Sequence, residues 1–594
     1  MRINLKHIAT GVFTLLILYT LYMWLWVNPS LYLIKGYREF FTDFYFFTRF
    51  IKTPGDPSDY VSRLCIQFYN YPLFASLLIS TVLAVIYLIG RQVFKNNWIL
   101  AIPVFILMLM HNRYEHAIRL DVDVLVLFIA LYGFVRTFRS PTWVVCLAFP
   151  ILLAGVLYFN GILMALLFVI TGFSLCLLNR KGDAIQWIGL MAGAVLTGLV
   201  FRSLFYLSFH DLHQEAADLL RIYPFAYFPF VLYGVVFLLP FLSLIHIPFK
   251  SKKINPVYVR GAIGLAAGLL LVFSLNREDR TGLSVQHHAR NGHWEKVLKY
   301  AAQSEYPDKD MVLYTNEALY QTGKIYTDLF LYNQSLGSTG LLSAQIANFS
   351  EIVPNQDVFL HLGALSLSIV WGTEATNVYG ANPYVLKNLT KAYIASGYLP
   401  EAQKTLNLLE HTPFQQKWVE HYRRFVNDTT LIEQDAELKT CKYAQAPVAA
   451  VSTQSAIMNL FLLAKDNNLN KMAYDYLLVA TLLDNKIDDF ASCLSRLGDY
   501  GYTSIPKLYF EGILYHSLFA AESPVEISDF TFDRTIIDRF EAFCSDLAKA
   551  QQNPSTAKER MGKKYKDTYW YYILYQSNLS PEEKRDAFQR MILI

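Results

Sequence analysis

The sequence contains no G-x-x-x-x-G-K-[ST], no G-x-G-x-x-G, no H-E-x-x-H and no paired C-x-x-C. Each missing motif removes a chemistry that depends on it: a nucleotide-driven motor, a dinucleotide site, a zincin or a thioredoxin-type exchange centre. Cysteine is scarce, six in 594 residues, and without regular spacing. Cys146 and Cys176 fall inside apolar runs and read as small packing residues. Pairing among Cys65, Cys441, Cys493 and Cys544 stays open, since spacing alone does not assign a disulfide. Charge is sparse as well. With 17% charged and 54% hydrophobic residues, the chain is too apolar for an ordinary soluble protein and too charged to lie in a membrane throughout. The net charge of +4 is mild, and short basic loops account for it, so nucleic acid is not an expected partner. The apolar runs themselves hold almost no ionisable groups. Arg202 is the main exception, near the end of its run, where a long side chain reaches the interface. Ion-coupled transport needs polar or charged groups at mid-membrane, and their scarcity argues against a secondary transporter.

What is present is a pattern of apolar runs from Ile8 to Leu275 in which every second break is basic. Arg2 and Lys6 precede the first run, Arg91 and Lys95 follow the second, and Arg136 and Arg139 the fourth. Arg180 and Lys181 follow the sixth, and Lys250, Lys252, Lys253 and Arg260 the eighth. Short Lys/Arg-rich loops remain cytoplasmic, so the pattern predicts a cytoplasmic N-terminus, about nine spans, and a periplasmic domain after Leu275. The first run, Ile8–Val27, is long for a signal h-region and no small-residue cleavage site follows it; it reads as a retained span. Trp98–Met110 is short and carries Pro103, so residues 98–138 either span twice or form a re-entrant hairpin. In Tyr258–Leu275, Gly261, Gly264 and Gly268 suit close packing on a neighbouring helix.

The break at residues 28–72 is far longer than the others and rich in aromatics, which marks it as ordered and functional. Gly36–Phe50 reads as an interfacial helix, Pro54–Pro57 as a turn, and Ser58 as the cap of a second helix. Glu39 and Asp43 stand four apart, on one face of the first helix, and Asp56 and Asp59 flank the turn. A carboxylate held there suits a general base or a metal ligand for a lipid-linked phosphate; beside Arg38 it equally suits the wet face of an interfacial helix. His210, Asp211, His213 and Glu215 form a polar loop whose spacing matches no familiar metal motif. The break at residues 111–123 offers Glu115, Asp121 and Asp123. Sequons at Asn333, Asn348, Asn388, Asn427 and Asn578 matter only in a glycosylating host.

Beyond Arg277 the apolar residues recur at three-and-four spacing, predicting an almost entirely helical domain in which the abundant tyrosines pack between helices. In Asn382–Pro413, Leu386, Leu389, Tyr393, Gly397, Ala402 and Leu406 fall where a tetratricopeptide (TPR) helix-turn-helix places such residues. Leu283–Ala302 is a weaker copy, with Gly292, Trp294 and Val297 around its turn, and Trp418–Val426 and Met472–Leu497 continue the stack. The aromatic run Tyr569–Tyr575 follows a capping Asp567-Thr568 and reads as a buried terminal helix or a membrane-docking one. The sequence therefore predicts an all-α protein. Residues 1–276 form a polytopic transmembrane bundle with a large outer loop, and residues 277–594 an extracytoplasmic TPR-like repeat domain.

Pro54-Gly55-x-x-x-Asp59-Tyr60-Val61-Ser62, Gln67-Phe68-Tyr69, Pro72 and Asp567-Thr568-Tyr569-Trp570 resemble the corresponding runs of an uncharacterised family of polytopic inner-membrane proteins of Bacteroidota. The layout is also similar to that of GT-C glycosyltransferases, which have a first span, a large acidic outer loop, further spans and an outer domain. That likeness implies a polyprenyl-phosphate-linked sugar as substrate, a divalent metal, and a catalytic carboxylate at Asp43, with Glu39 as second choice. Two readings follow. In one the chain is a transferase of cell-envelope biogenesis in the inner (plasma) membrane; in the other it is a non-enzymatic, membrane-anchored scaffold whose repeats bind an envelope protein.

Overall fold

The computed structural model describes residues 5–35, 37–94, 99–116, 118–179, 184–205, 227–244, 256–343, 351–445, 455–519, 530–551 and 554–593. Among them all regular structure is helical, and the one strand-like pairing is an isolated bridge between Ser504 and Thr531. The chain divides into two compact units, Met1–Arg280 and Thr281–Ile594.

In the first unit, Pro72–Phe94, Thr142–Asn160 and Ala184–Phe205 are long and apolar enough to cross a membrane. Two further candidates are bent pairs: Thr14–Val27 with Pro29–Lys35, bent by 51°, and Gly261–Phe273 with Arg277–Ala289, bent by 54°. The first bend has a local cause. Asn28 sits at φ 58, and Pro29 lacks the N–H that would continue the ladder. Three to five span-competent helices are thus found among the described residues, which corrects the expected nine. The reason is helix length. Ala101–Met110, for one, has ten residues, whereas a crossing needs roughly twenty. Hydropathy counts apolar residues in a run without seeing where turns end the helix. Only 28% of the Thr142–Asn160 window is buried against the rest of the chain, which leaves an apolar face of the kind that lipid covers. The glycines Gly261, Gly264 and Gly268 meet no neighbour within 4 Å of an added Cβ among the described residues, so they do not pack as expected.

The 28–72 segment departs from its expected form. Residues 37–42 are not helical, and the helix runs only from Phe44 to Ile51. Asp43 ends it early: its carboxylate accepts from the Phe46 N–H at 2.8 Å as an N-cap, and a capping residue is itself extended. Phe46 and Phe50 on its inner face pack with Phe40 and Tyr60. The next helix, Asp56–Gln67, starts from Gly55 at φ 94 and not from Ser58, whose Oγ instead donates to the Gly55 carbonyl. Gly55 also lies against Asn160 and Gly161, where an added Cβ would stand 3.2 Å from the Gly161 Cα.

The second unit is a stack of helical hairpins around one continuous core. Pro383–Ser396 and Leu399–Glu410 pair across Gly397, which takes the left-handed conformation required at a helix C-terminus. Leu386, Leu389, Ala402 and Leu406 are buried between them, as the sequence spacing predicts. Arg277–Ala289 with Trp294–Ala301, and Lys471–Leu483 with Ile487–Leu494, repeat the helix-turn-helix form. Tyrosine does pack between these helices, with its hydroxyls engaged. Tyr326, Tyr502 and Tyr509 all donate to the buried Asp475 carboxylate. The terminal aromatic helix Tyr569–Tyr575 is inside the core, with Tyr569 and Trp570 fully buried, and Thr568 caps it. Asp567 does not cap; it pairs with Arg539 and Lys507, which hold its carboxyl down at about 2 against the opposing effect of burial. None of the six cysteines forms a disulfide.

Candidate functional site

The turn between Ala101–Met110 and Arg119–Arg136 gathers three ionisable side chains that are all buried: His111, His116 and Asp121. Local bonds shape the turn. The His111 N–H continues the preceding helix to the Leu107 carbonyl, and the His116 N–H closes a turn on the Arg113 carbonyl. Asp121 lies in the first turn of the next helix, where the positive end of the helix dipole favours a carboxylate. Its two oxygens face one imidazole each, at 3.2 Å from His111 Nε2 and 3.0 Å from His116 Nε2. The two rings are edge-to-face with centroids 4.5 Å apart. Burial and the neighbouring His111 push the His116 imidazole below its ordinary pKa, against the pull of Asp121.

Aromatic hydroxyls line the same region. Tyr32 donates to the His111 carbonyl, and Tyr114 donates to the Val27 carbonyl at 2.8 Å. The buried hydroxyls of Tyr19 and Tyr69, and Nδ1 of His111, have no hydrogen-bond partner among the described residues.

A second buried carboxylate is built from the 28–72 segment. Asp59 is 6% exposed, 2.7 Å from Arg38 Nη1, 2.7 Å from Arg63 Nε and 3.7 Å from Arg119 Nη1. Burial pushes its carboxyl pKa up, but Arg63, Arg119 and Arg38 together outweigh that and hold it below the usual range. Arg119 also reaches towards Asp123 at 4.0 Å, linking this cluster to the helix that carries Asp121. Arg63 is fixed further by the Glu39 carbonyl and by the Phe50 ring beneath it.

Of the residues singled out from sequence, Asp121, Asp123 and Asp59 belong to these clusters. Glu115 pairs with Lys35, which also bonds Asp279 at 3.1 Å. Asp43 is half-buried and caps its helix, with its charge acting on the Tyr60 hydroxyl. Glu39 is half-buried and contributes its backbone carbonyl to Arg63. His210, Asp211, His213 and Glu215 lie outside the described residues. Sequence reasoning passed over His111 and His116. The available signal was the even spacing of five that separates His111, His116 and Asp121, which follows no helix face and closes only through a turn.

In the second unit a cavity of about 460 Å³ is lined by Glu305, Asn333, Gln334, Lys558, Lys566 and Tyr575, among others.

No curated protein and no solved structure matches this chain. A model of a family of unknown function (DUF6057) matches residues 3–576, nearly the whole length, and the chain belongs to that family.

Proposed function

We propose that the chain is a multi-pass protein of the bacterial inner (plasma) membrane, with its N-terminus in the cytoplasm and its second unit in the periplasm. In this reading it works in cell-envelope biogenesis, transferring a lipid-linked sugar or related group at the outer face, as the GT-C-like layout implies. The alternating basic loops support the orientation. The observation that carries the enzymatic reading is the convergence of His111, His116 and Asp121, all buried, at one turn between two apolar helices. Ionisable groups are unfavourable in such surroundings and mark working sites. Such a centre suits activation of an acceptor hydroxyl, with His111, His116 and Asp121 held against one another where the proton is lost. Asp59 holds Arg38 and Arg63 in place.

The second reading, a scaffold whose TPR-like hairpins bind an envelope protein, is favoured by the cavity of the second unit. Complementation of a deletion strain separates the two. Asp121→Asn and His116→Gln, at normal protein level, are expected to fail. If both complement, while substitutions of Lys558 and Lys566 do not, the scaffold reading stands in place of the enzyme.

A further inference from the structure

We infer that His111, His116 and Asp121 form a binding site for one divalent transition-metal ion of the zinc type, with a fourth coordination position left to water or substrate. The donor set is the first argument. Two imidazoles and one carboxylate suit zinc and its neighbours, whereas magnesium and calcium take oxygen ligands almost exclusively. Three protein ligands are also the number that leaves a zinc ion an open position.

The distances agree. Around a tetrahedral ion with bonds of about 2.0–2.1 Å, ligand atoms stand roughly 3.3–3.4 Å apart. Here the two Nε2–carboxylate separations are 3.2 and 3.0 Å, and the potential ligand atoms of all three residues lie within 4.8 Å of one another. Displacements of a few tenths of an ångström, within ordinary side-chain adjustment, would admit the ion.

Charge is the second, independent argument. Asp121 is 1% exposed, and its ion-pair partners among the described residues are the two imidazoles. Asp59, by comparison, has three guanidinium groups around it. Imidazoles stand where Asp59 has permanently charged guanidinium groups, and a divalent cation at this point supplies the charge that they do not carry permanently.

The surroundings supply a third. The Tyr19 and Tyr69 hydroxyls are nine-tenths or more buried and lack hydrogen-bond partners among the described residues, and Asp121 is the carboxylate whose charge reaches both. Tyr32, bonded to the His111 carbonyl, holds the first ligand from behind.

The site stands whether or not the chain is an enzyme, because metal binding is read without turnover. The full chain is purified in detergent through a tag free of histidine, stripped with a chelator, and titrated with Co²⁺ and then Zn²⁺. One equivalent of Co²⁺ is expected to give visible d–d absorption, which one equivalent of Zn²⁺ abolishes. Asp121→Asn and His116→Gln should each weaken binding by more than about 100-fold, beyond the loss typical of an outer-shell change. His111→Gln should do the same, while His411→Gln in the second unit should leave binding unchanged. His116→Cys keeps a ligand at the same position and should add a thiolate-to-cobalt charge-transfer band. A wild-type chain that takes up no stoichiometric metal overturns the inference. So does a His116→Cys chain that binds Co²⁺ without that band, which also guards against variants that merely misfold.

Discussion

Two glycines of the second unit allow backbone strain to be separated from packing. Gly363, between the helices Ile352–His361 and Leu365–Tyr379, and Gly397, between Pro383–Ser396 and Leu399–Glu410, both adopt left-handed conformations, at φ 70 and 80. A Cβ added at Gly397 meets nothing within 4 Å. A Cβ added at Gly363 would stand 2.5 Å from the Ala444 carbonyl carbon and oxygen, which are backbone and cannot rotate aside. Asn470 fastens that contact, since its Nδ2 donates to both the Leu362 and the Ala444 carbonyls. Gly397→Ala should therefore cost only the left-handed strain, about 1 kcal/mol. Gly363→Ala should cost the same strain plus about 1–3 kcal/mol of overpacking. With about 1.5 °C per kcal/mol for a domain of this size, the expected losses are about 1.5 °C and about 3–6 °C. Thermal unfolding of residues 281–594, followed by far-ultraviolet circular dichroism, measures both. Equal losses in the two variants would refute the packing argument; loss of the helical spectrum in the parent fragment would refute the autonomy of the unit.

Three further outcomes are expected. Burial raises the Glu511 carboxyl to about 7 although Lys507 is near, so its contribution to stability is complete below the unfolded value near 4.5 and is lost as the pH rises through 7, a total of about 3 kcal/mol. Glu511→Gln preserves an acceptor for the Tyr569 N–H and should flatten urea-unfolding stability between pH 5 and 7; an unchanged slope would show that Glu511 is not its source. Asp43→Asn should retain the helix cap and complement a deletion, whereas Asp43→Ala should lose about 1 kcal/mol of local stability. Failure of Asp43→Asn at normal protein level would return catalysis to that carboxylate. A reporter enzyme active only outside the cytoplasm should work when fused after Asn276 and be silent after Lys181 or Lys253, and the opposite pattern would reverse the topology.

Sequence alone determined what is set by neighbours along the chain. The hairpin at Asn382–Pro413 was legible because its cap, its glycine turn and its apolar spacing all lie within some thirty residues. The helical character of the described residues, and the apolar segments of the first unit, follow from the same local periodicities. Tertiary structure decided the rest. Whether Tyr569–Tyr575 meets lipid or core depends on Phe540 and Phe543, which pack against Trp570 from a distant helix. Asp59 reads as a turn residue until Arg38, twenty-one positions earlier, is folded onto it. His111, His116 and Asp121 share no helical face, and only the turn between two helices points their ligand atoms at one place. A side chain's chemistry is local, but its burial and its partners depend on which distant segments close around it, and periodicity carries no information about that.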